Sequence, residues 1–128
     1  MHQWDDYKLA SRNRGLLGLE LYAIESTPLV PREEWRRWQA DHMAYQEDLE
    51  RKGVLAFAGP LSDDTGEVVD GVTLSIYRAA SMEDARRLAV EDPFHANGGK
   101  SWRLRRWLVN GGHVTVSVGL LSKLARVE

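Results

Sequence analysis

The chemistry available to this chain centres on one histidine. His42 lies in the middle of the stripe Trp35, Trp38, His42, Tyr45 and Leu49, spaced three, four, three and four residues apart. That spacing places all five on one face of a helix and turns the imidazole inward, away from the charged side. A buried imidazole needs partners for both ring nitrogens, and beside a carboxylate it can act as acid or base near neutral pH. Asp92 is the carboxylate candidate. In the run Glu91-Asp92-Pro93-Phe94-His95 the proline forces Asp92 out of helical geometry, and a carboxylate at so rigid a bend is well placed to orient a histidine. The plain alternatives are a core histidine satisfied by a carbonyl or a Tyr hydroxyl, and an aspartate that only ends its helix.

Other constellations carry less. His42, Asp92 and His95 have the composition of a two-histidine, one-carboxylate metal site, but no His-x-x-x-His pair supports one, and no metal is expected. The run Trp102-Arg103-Leu104-Arg105-Arg106-Trp107 interleaves cations with aromatics, and on a strand Arg103, Arg105 and Trp107 share a face. Arg stems covering Trp rings explain such a run; for an acidic substrate, Arg105 is the cation first in line. Gly59-Pro60 and Gly98-Gly99 are turn chemistry, and neither a phosphate-binding glycine motif nor a Gly-x-Ser-x-Gly nucleophile motif occurs.

The elements that must position these residues follow from periodicity and punctuation. Residues 1–15 form a polar extension. Leu16 to Glu25 reads as a strand with Leu17, Leu19, Leu21 and Ala23 on one face, broken by Ser26-Thr27-Pro28. A helix is expected from Pro31 to Lys52, stopped at Gly53. Val54 to Ala58 is a short strand. Beyond the turn Asp63-Asp64-Thr65-Gly66, Val72, Leu74 and Ile76 alternate with Thr73, Ser75 and Tyr77 in a strand that pairs antiparallel with it. Ser81 caps a second helix, Met82 to Glu91, with Met82, Ala85, Leu88 and Ala89 inward. A loop from Phe94 to Ser101 leads to the strand Trp102 to Val109, and a final strand carries Val114, Val116 and Val118. The order β-α-β-β-α-β plus one extra strand predicts an α+β fold, a split β-α-β sandwich with both helices on one face of an antiparallel sheet. One domain is expected over residues 16–119, with 120–128 as a tail. The sheet face without helices is the kind a second copy covers, so a twofold homodimer is expected.

Composition narrows the function classes. With 128 residues the chain can bury one core, and with no cysteine it has no disulfide, thiol nucleophile, zinc-thiolate or iron–sulfur chemistry. Its 17 basic and 19 acidic residues leave a net charge of −2, so no bulk field draws nucleic acid or a membrane surface. The N-terminus lacks a secretory pattern, and the longest apolar stretch, Leu16 to Ile24, is too short to span a bilayer, which makes the cytoplasm the expected location.

Taken in order, Asp41-His42-Met43-Ala44-Tyr45, Gly53-Val54-Leu55, Ala58-Gly59-Pro60-Leu61, Asp92-Pro93-Phe94 and Arg105-Arg106-Trp107 resemble the YCII-related (YciI-like) family over roughly residues 19–109. The resemblance implies a ferredoxin-like domain that dimerises into an α+β barrel, with a His–Asp active site beside the sheet. His42 matches the family histidine and Asp92 the family aspartate. A characterised relative is a dehydrochlorinase acting on a chlorinated hydroxyquinol. Arg106 replaces a frequent proline, and Val72 stands where some members carry a serine. The expected activity is a small acid–base enzyme of lyase or isomerase type that uses no cofactor. Its small-molecule substrate would be aromatic or lactone-like, walled by Trp38, Tyr45 and Phe94. The alternative is a non-catalytic binding or accessory module.

Overall fold

A computed structural model of the protein describes all of residues 1–128. In chain order its elements are α1 (Trp4–Asn13), β1 (Leu19–Pro28), α2 (Arg32–Trp35), a 3-10 turn (Arg36–Trp38), α3 (Gln39–Arg51), β2 (Leu55–Ser62), β3 (Val69–Tyr77), α4 (Met82–Glu91), α5 (Pro93–Ala96), β4 (Lys100–Val109), β5 (Val116–Val118) and β6 (Ala125–Val127). They fall into two compact units, Glu20–Trp107 on one hand and Met1–Leu19 with Leu108–Glu128 on the other. No helix is long and apolar enough to cross a membrane.

The larger unit is a four-stranded antiparallel sheet in the order β2-β3-β1-β4, the ferredoxin-like arrangement. In the register of β1 on β3, Tyr22 faces Tyr77, Ile24 faces Ser75 and Ser26 faces Thr73. Side chains alternate across a sheet, so these six lie on the same side. Ile24 and Tyr77 there form the core with Leu49 of α3 and Ala89 of α4, and Leu88, Trp102 and Leu104 pack around it. The small side chains of Ala85 and Ala89, both essentially inaccessible, let α4 approach the sheet closely. Its N-terminus is capped as expected, with the Asp84 N–H donating to the Ser81 hydroxyl at 3.1 Å.

Several expectations need correction. Gly59-Pro60 do not end β2 as a turn: the strand runs through them to Ser62, with Gly59 opposite Leu74 and Pro60 opposite Thr73. The first strand starts three residues late, because Gly15 and Gly18 adopt positive φ (84° and 60°) and turn the chain before Leu19. It then runs through Ser26-Thr27 to Pro28, and it is Tyr22, Ile24 and Ser26 that face the helices. Leu19, Leu21 and Ala23 lie on the opposite face with Leu74 and Ile76. The long helix is interrupted at Trp38 (φ −99°, ψ 4°), so the buried stripe of α3 is His42, Gln46 and Leu49 rather than the full aromatic run. The loop after Pro93 opens with a one-turn helix, α5, because an aspartate cap followed by proline is itself a helix start.

The last expectation concerns the smaller unit. The extra strand does not extend the main sheet: β5 pairs antiparallel with β6 in a separate two-stranded sheet, so residues 120–128 hold a strand. In this unit α1 is joined to the segment after β4. The Gly18 N–H donates to Asn110 Oδ1 at 3.1 Å, and the Arg12 guanidinium donates twice to the Gly18 carbonyl, at 2.8 and 3.1 Å.

Candidate active site

Two local rules bring His42 and Asp92 together. On α3 the four-residue spacing from His42 to Gln46 keeps both on the sheet-facing side, where they are 7% and 8% exposed. At the end of α4, Pro93 excludes the helical conformation for Asp92, which takes φ −60° and ψ 126°. Its carboxylate then caps α5, with Oδ1 accepting the Phe94 N–H at 3.0 Å. The same carboxylate faces His42, whose Nδ1 lies 2.9 Å from both Oδ1 and Oδ2.

A carboxylate only accepts, so Nδ1 carries the proton and Nε2 presents a lone pair. Nε2 has no hydrogen-bond partner in the protein, and no side-chain polar atom lacking a partner is sealed from solvent. His42 lines a cleft of about 900 Å³ on the helix side of the sheet. An imidazole oriented at one nitrogen and open at the other is the geometry of a proton carrier.

The cleft has an aromatic side and a polar floor. Phe94 stacks on the His42 ring, with centroids 4.4 Å apart and planes at 30°, and meets Trp35 edge-on at 5.6 Å. On the floor, Gln46 Nε2 donates to the Ser75 hydroxyl at 2.9 Å, and Thr73 follows on the same strand face. Gly71 sits in the wall at φ +94°; a Cβ there would lie 2.8 Å from the Pro28 ring and 3.1 Å from Trp35. Its carbonyl accepts a 2.7 Å hydrogen bond from Lys100 Nζ, and this ammonium lies 4.3 Å from the ring centres of both Trp35 and Phe94. Burial lowers the Lys100 pKa from its ordinary value, and the nearby Asp92 carboxylate draws it partly back.

Of the residues expected at the site, His42, Asp92 and Phe94 are brought together, whereas Trp38, Tyr45 and Arg105 are not. Trp38 packs its ring against Gly99, where a Cβ would come within 2.8 Å of it, and carries the Arg37 guanidinium on its face. Tyr45 packs against the core and donates its hydroxyl to the Leu88 carbonyl at 2.8 Å; burial pushes its phenol pKa far up. Arg105 is exposed, on the face of β4 opposite to Trp102 and Leu104. His95 has both nitrogens engaged, Nδ1–H donating to the Ala89 carbonyl and Nε2 accepting from the Ser26 hydroxyl, each at 2.6 Å. The missed residues are Trp35, already on the aromatic stripe, and Gln46, Ser75 and Lys100. For Gln46 the four-residue step from His42 was the available signal. Val72 supplies no hydroxyl, but Thr73 and Ser75 place theirs on the cleft.

The fold has a solved counterpart. The 5-chloro-2-hydroxyhydroquinone dehydrochlorinase (TftG) from Burkholderia phenoliruptrix AC1100, in complex with 2,5-dihydroxybenzoquinone, is similar with a TM-score of 0.55. The identity is 23%, covering 68% of this chain and 92% of that one. No curated protein matches the chain. The description of the matching family model is YCII-related domain, and it covers residues 21–108, nearly the span of the larger compact unit. With the ferredoxin-like sheet in place and the family model spanning it, the chain belongs to the YCII-related domain family.

Proposed function

We propose that the cleft is the active site of an acid–base enzyme of lyase or isomerase type, acting without a cofactor on a small hydroxylated ring or lactone. The observation that carries this reading is the buried His42–Asp92 pair, with Nδ1 held at 2.9 Å by both carboxylate oxygens and Nε2 open. Nε2 takes a proton from the substrate; in an isomerisation it returns the proton at another atom, and in an elimination the electron pair of the broken C–H bond expels chloride while the proton passes from Nε2 to water. Asp92 keeps the proton on Nδ1 beforehand and stabilises the imidazolium once it forms. Phe94 and Trp35 give the cleft an apolar side, and the Ser75 and Thr73 hydroxyls offer polar contacts at the floor. The similarity to a dehydrochlorinase with a bound dihydroxybenzoquinone supports a substrate of this size and kind.

A second copy of the chain is proposed to cover the sheet face turned away from α3 and α4, where Phe57 and Trp107 are 62% and 45% exposed.

The test is turnover of chlorinated hydroxyquinols and enol-lactones by the purified chain, followed as chloride release or as deuterium uptake from heavy water. Wild type is expected to act on one of these classes, and His42→Ala to lose the activity. Equal rates for the two proteins overturn the acid–base role of His42. Tight ligand binding without turnover would assign the cleft to a binding module instead.

A further inference from the structure

Lys100 is the least expected group in the cleft. Its residue is 3% exposed, yet its side chain lines the same cavity as His42. An ammonium has three N–H donors. Here the protein offers them one hydrogen bond, to the neutral Gly71 carbonyl, and the faces of Trp35 and Phe94. No carboxylate forms an ion pair with it; Asp92 acts on it only at a distance, its oxygens committed to His42 and to the Phe94 N–H. A charge buried without a counterion is costly, and such a cost is retained where the charge has a ligand to meet. The position is also specific. Phe94 contacts both groups, at 4.4 Å from the His42 ring centre and 4.3 Å from Lys100 Nζ, so imidazole and ammonium are neighbours of the same aromatic ring.

We propose that Lys100 is the anion-recognition residue of this cleft, selecting planar substrates that carry an ionised oxygen on the same ring system as the atom that exchanges a proton with His42. The substrate class is thereby narrowed to phenolates, enolates of cyclic diketones and ring carboxylates. This rests on the reading of the cleft as a substrate site and adds the charge its ligand must bear. Lys100 binds the oxyanion in the ground state and holds negative charge that develops on it as His42 removes a proton.

Calorimetric binding to the full chain at neutral pH tests it with two probes. One is 2,5-dihydroxybenzoquinone, whose acidic enol is ionised; the other is hydroquinone, a neutral ring of similar size. Wild type is expected to prefer the anion. Lys100→Met, which fills the aromatic box without charge, is expected to lose about tenfold or more in affinity for the anion, with less than about threefold change for hydroquinone. Lys100→Arg retains the preference. Equal weakening of both probes by Lys100→Met means a collapsed box and overturns the proposal, as does a wild-type chain without preference for the anion. His42→Gln supplies a control independent of any defect in the Lys100 variants. The preference is expected to persist in it, and its disappearance there assigns the charge to the imidazole and overturns the proposal. Because binding is read without turnover, loss of the acid–base reading leaves this result distinguishable.

Discussion

Replacing Asp92 by Asn separates what the carboxylate does for the fold from what it does for the imidazole. Oδ1 accepts the Phe94 N–H at 3.0 Å, and an amide oxygen can keep that cap. The other carboxylate oxygen lies 2.9 Å from His42 Nδ1, and in the variant this position is taken by an NH₂ group. Nδ1 is equally close to the retained oxygen, but a proton on Nδ1 would leave the buried NH₂ group without an acceptor, whereas the other tautomer accepts from it while the amide oxygen keeps the Phe94 N–H, so the imidazole proton is expected to leave Nδ1 for Nε2. The lone pair then points at the amide, and the cleft side carries an N–H. The variant should stay folded and lose under about 2 kcal/mol of stability, because the cap survives and only the charge-assisted bond weakens. Asp92→Ala removes the cap as well, at about 1 kcal/mol, and leaves a buried N–H unpaired, for a total of roughly 2–4 kcal/mol. In a Ser-His-Asp triad the corresponding Asp→Asn change lowers turnover on the order of 10⁴-fold through the wrong tautomer, and a loss of that order is expected here for any substrate the chain turns over. Long-range ¹⁵N–¹H spectra of histidine-labelled chain read the tautomer directly, and a denaturant titration reads the stability. An Asp92→Asn chain that keeps its proton on Nδ1 and its wild-type turnover would refute the reasoning.

Three further outcomes are expected. Tyr45→Phe removes the hydroxyl bond to the Leu88 carbonyl and should cost about 1 kcal/mol in a denaturant titration. Dihydroxybenzoquinone affinity should stay unchanged within about twofold, since the Tyr45 hydroxyl faces the core rather than the cleft. His95 is held below its ordinary pKa of 6.5, first by burial and then by the neighbouring His42 and Lys100, against opposing effects of the Ala89 carbonyl and Asp92. The unfolded chain therefore takes up a proton on that residue before the folded one does, and stability should fall as pH drops through 6.5 toward the lower folded value. His95→Gln should flatten that slope in melts taken across the same range; an unchanged slope would locate the effect elsewhere. Phe57→Glu places a charge on the exposed side of β2, and light scattering should show a dimeric wild type and a monomeric variant; a monomeric wild type refutes the dimer.

What was legible in the sequence is what one segment decides for itself. The Ser81 cap, the Asp92-Pro93 bend and the glycine stop at Gly53 each act within a few residues, and the structure has all three. The succession of strands and helices along the chain follows from alternation and turn signals for the same reason. The errors fall where a choice between faces had to be made. Alternation in Leu17–Ala23 identified a set of positions sharing a side but could not say which side meets the helices. Register on β3 settles that, through Ile24 opposite Ser75 and Ser26 opposite Thr73. The helix-side sheet face is consequently polar at the cleft, which an apolar-inside rule reads the wrong way round. A helical stripe extended through residues 36–38 puts Trp38 and Tyr45 on a substrate wall. The chain bends there, and Tyr45 is left with the core while Gln46 takes the cleft.

Lys100 shows why a site can be less legible than the fold that holds it. Nothing around Gly98-Gly99-Lys100-Ser101 marks a functional cation, and a lone lysine at a strand start is ordinarily a solvated one. Its role is defined by three segments far apart in the chain: the Gly71 carbonyl on β3, the Trp35 ring on α2 and the Phe94 ring on α5. Each of those has its own local reason for being where it is. Gly71 takes a positive φ against Pro28 and Trp35, Phe94 follows the Asp92 cap, and Trp35 ends α2 before the bend. Arg105 looked the better anion ligand because it sits among aromatics in the sequence, but alternation along β4 sends it to the opposite face, whereas Lys100 points with Trp102 and Leu104 toward the helices. A pairing with His42 could be guessed from one helix stripe and one Asp-Pro bend. The charge that narrows the substrate to an oxyanion emerges only when the sheet sets the distance between them.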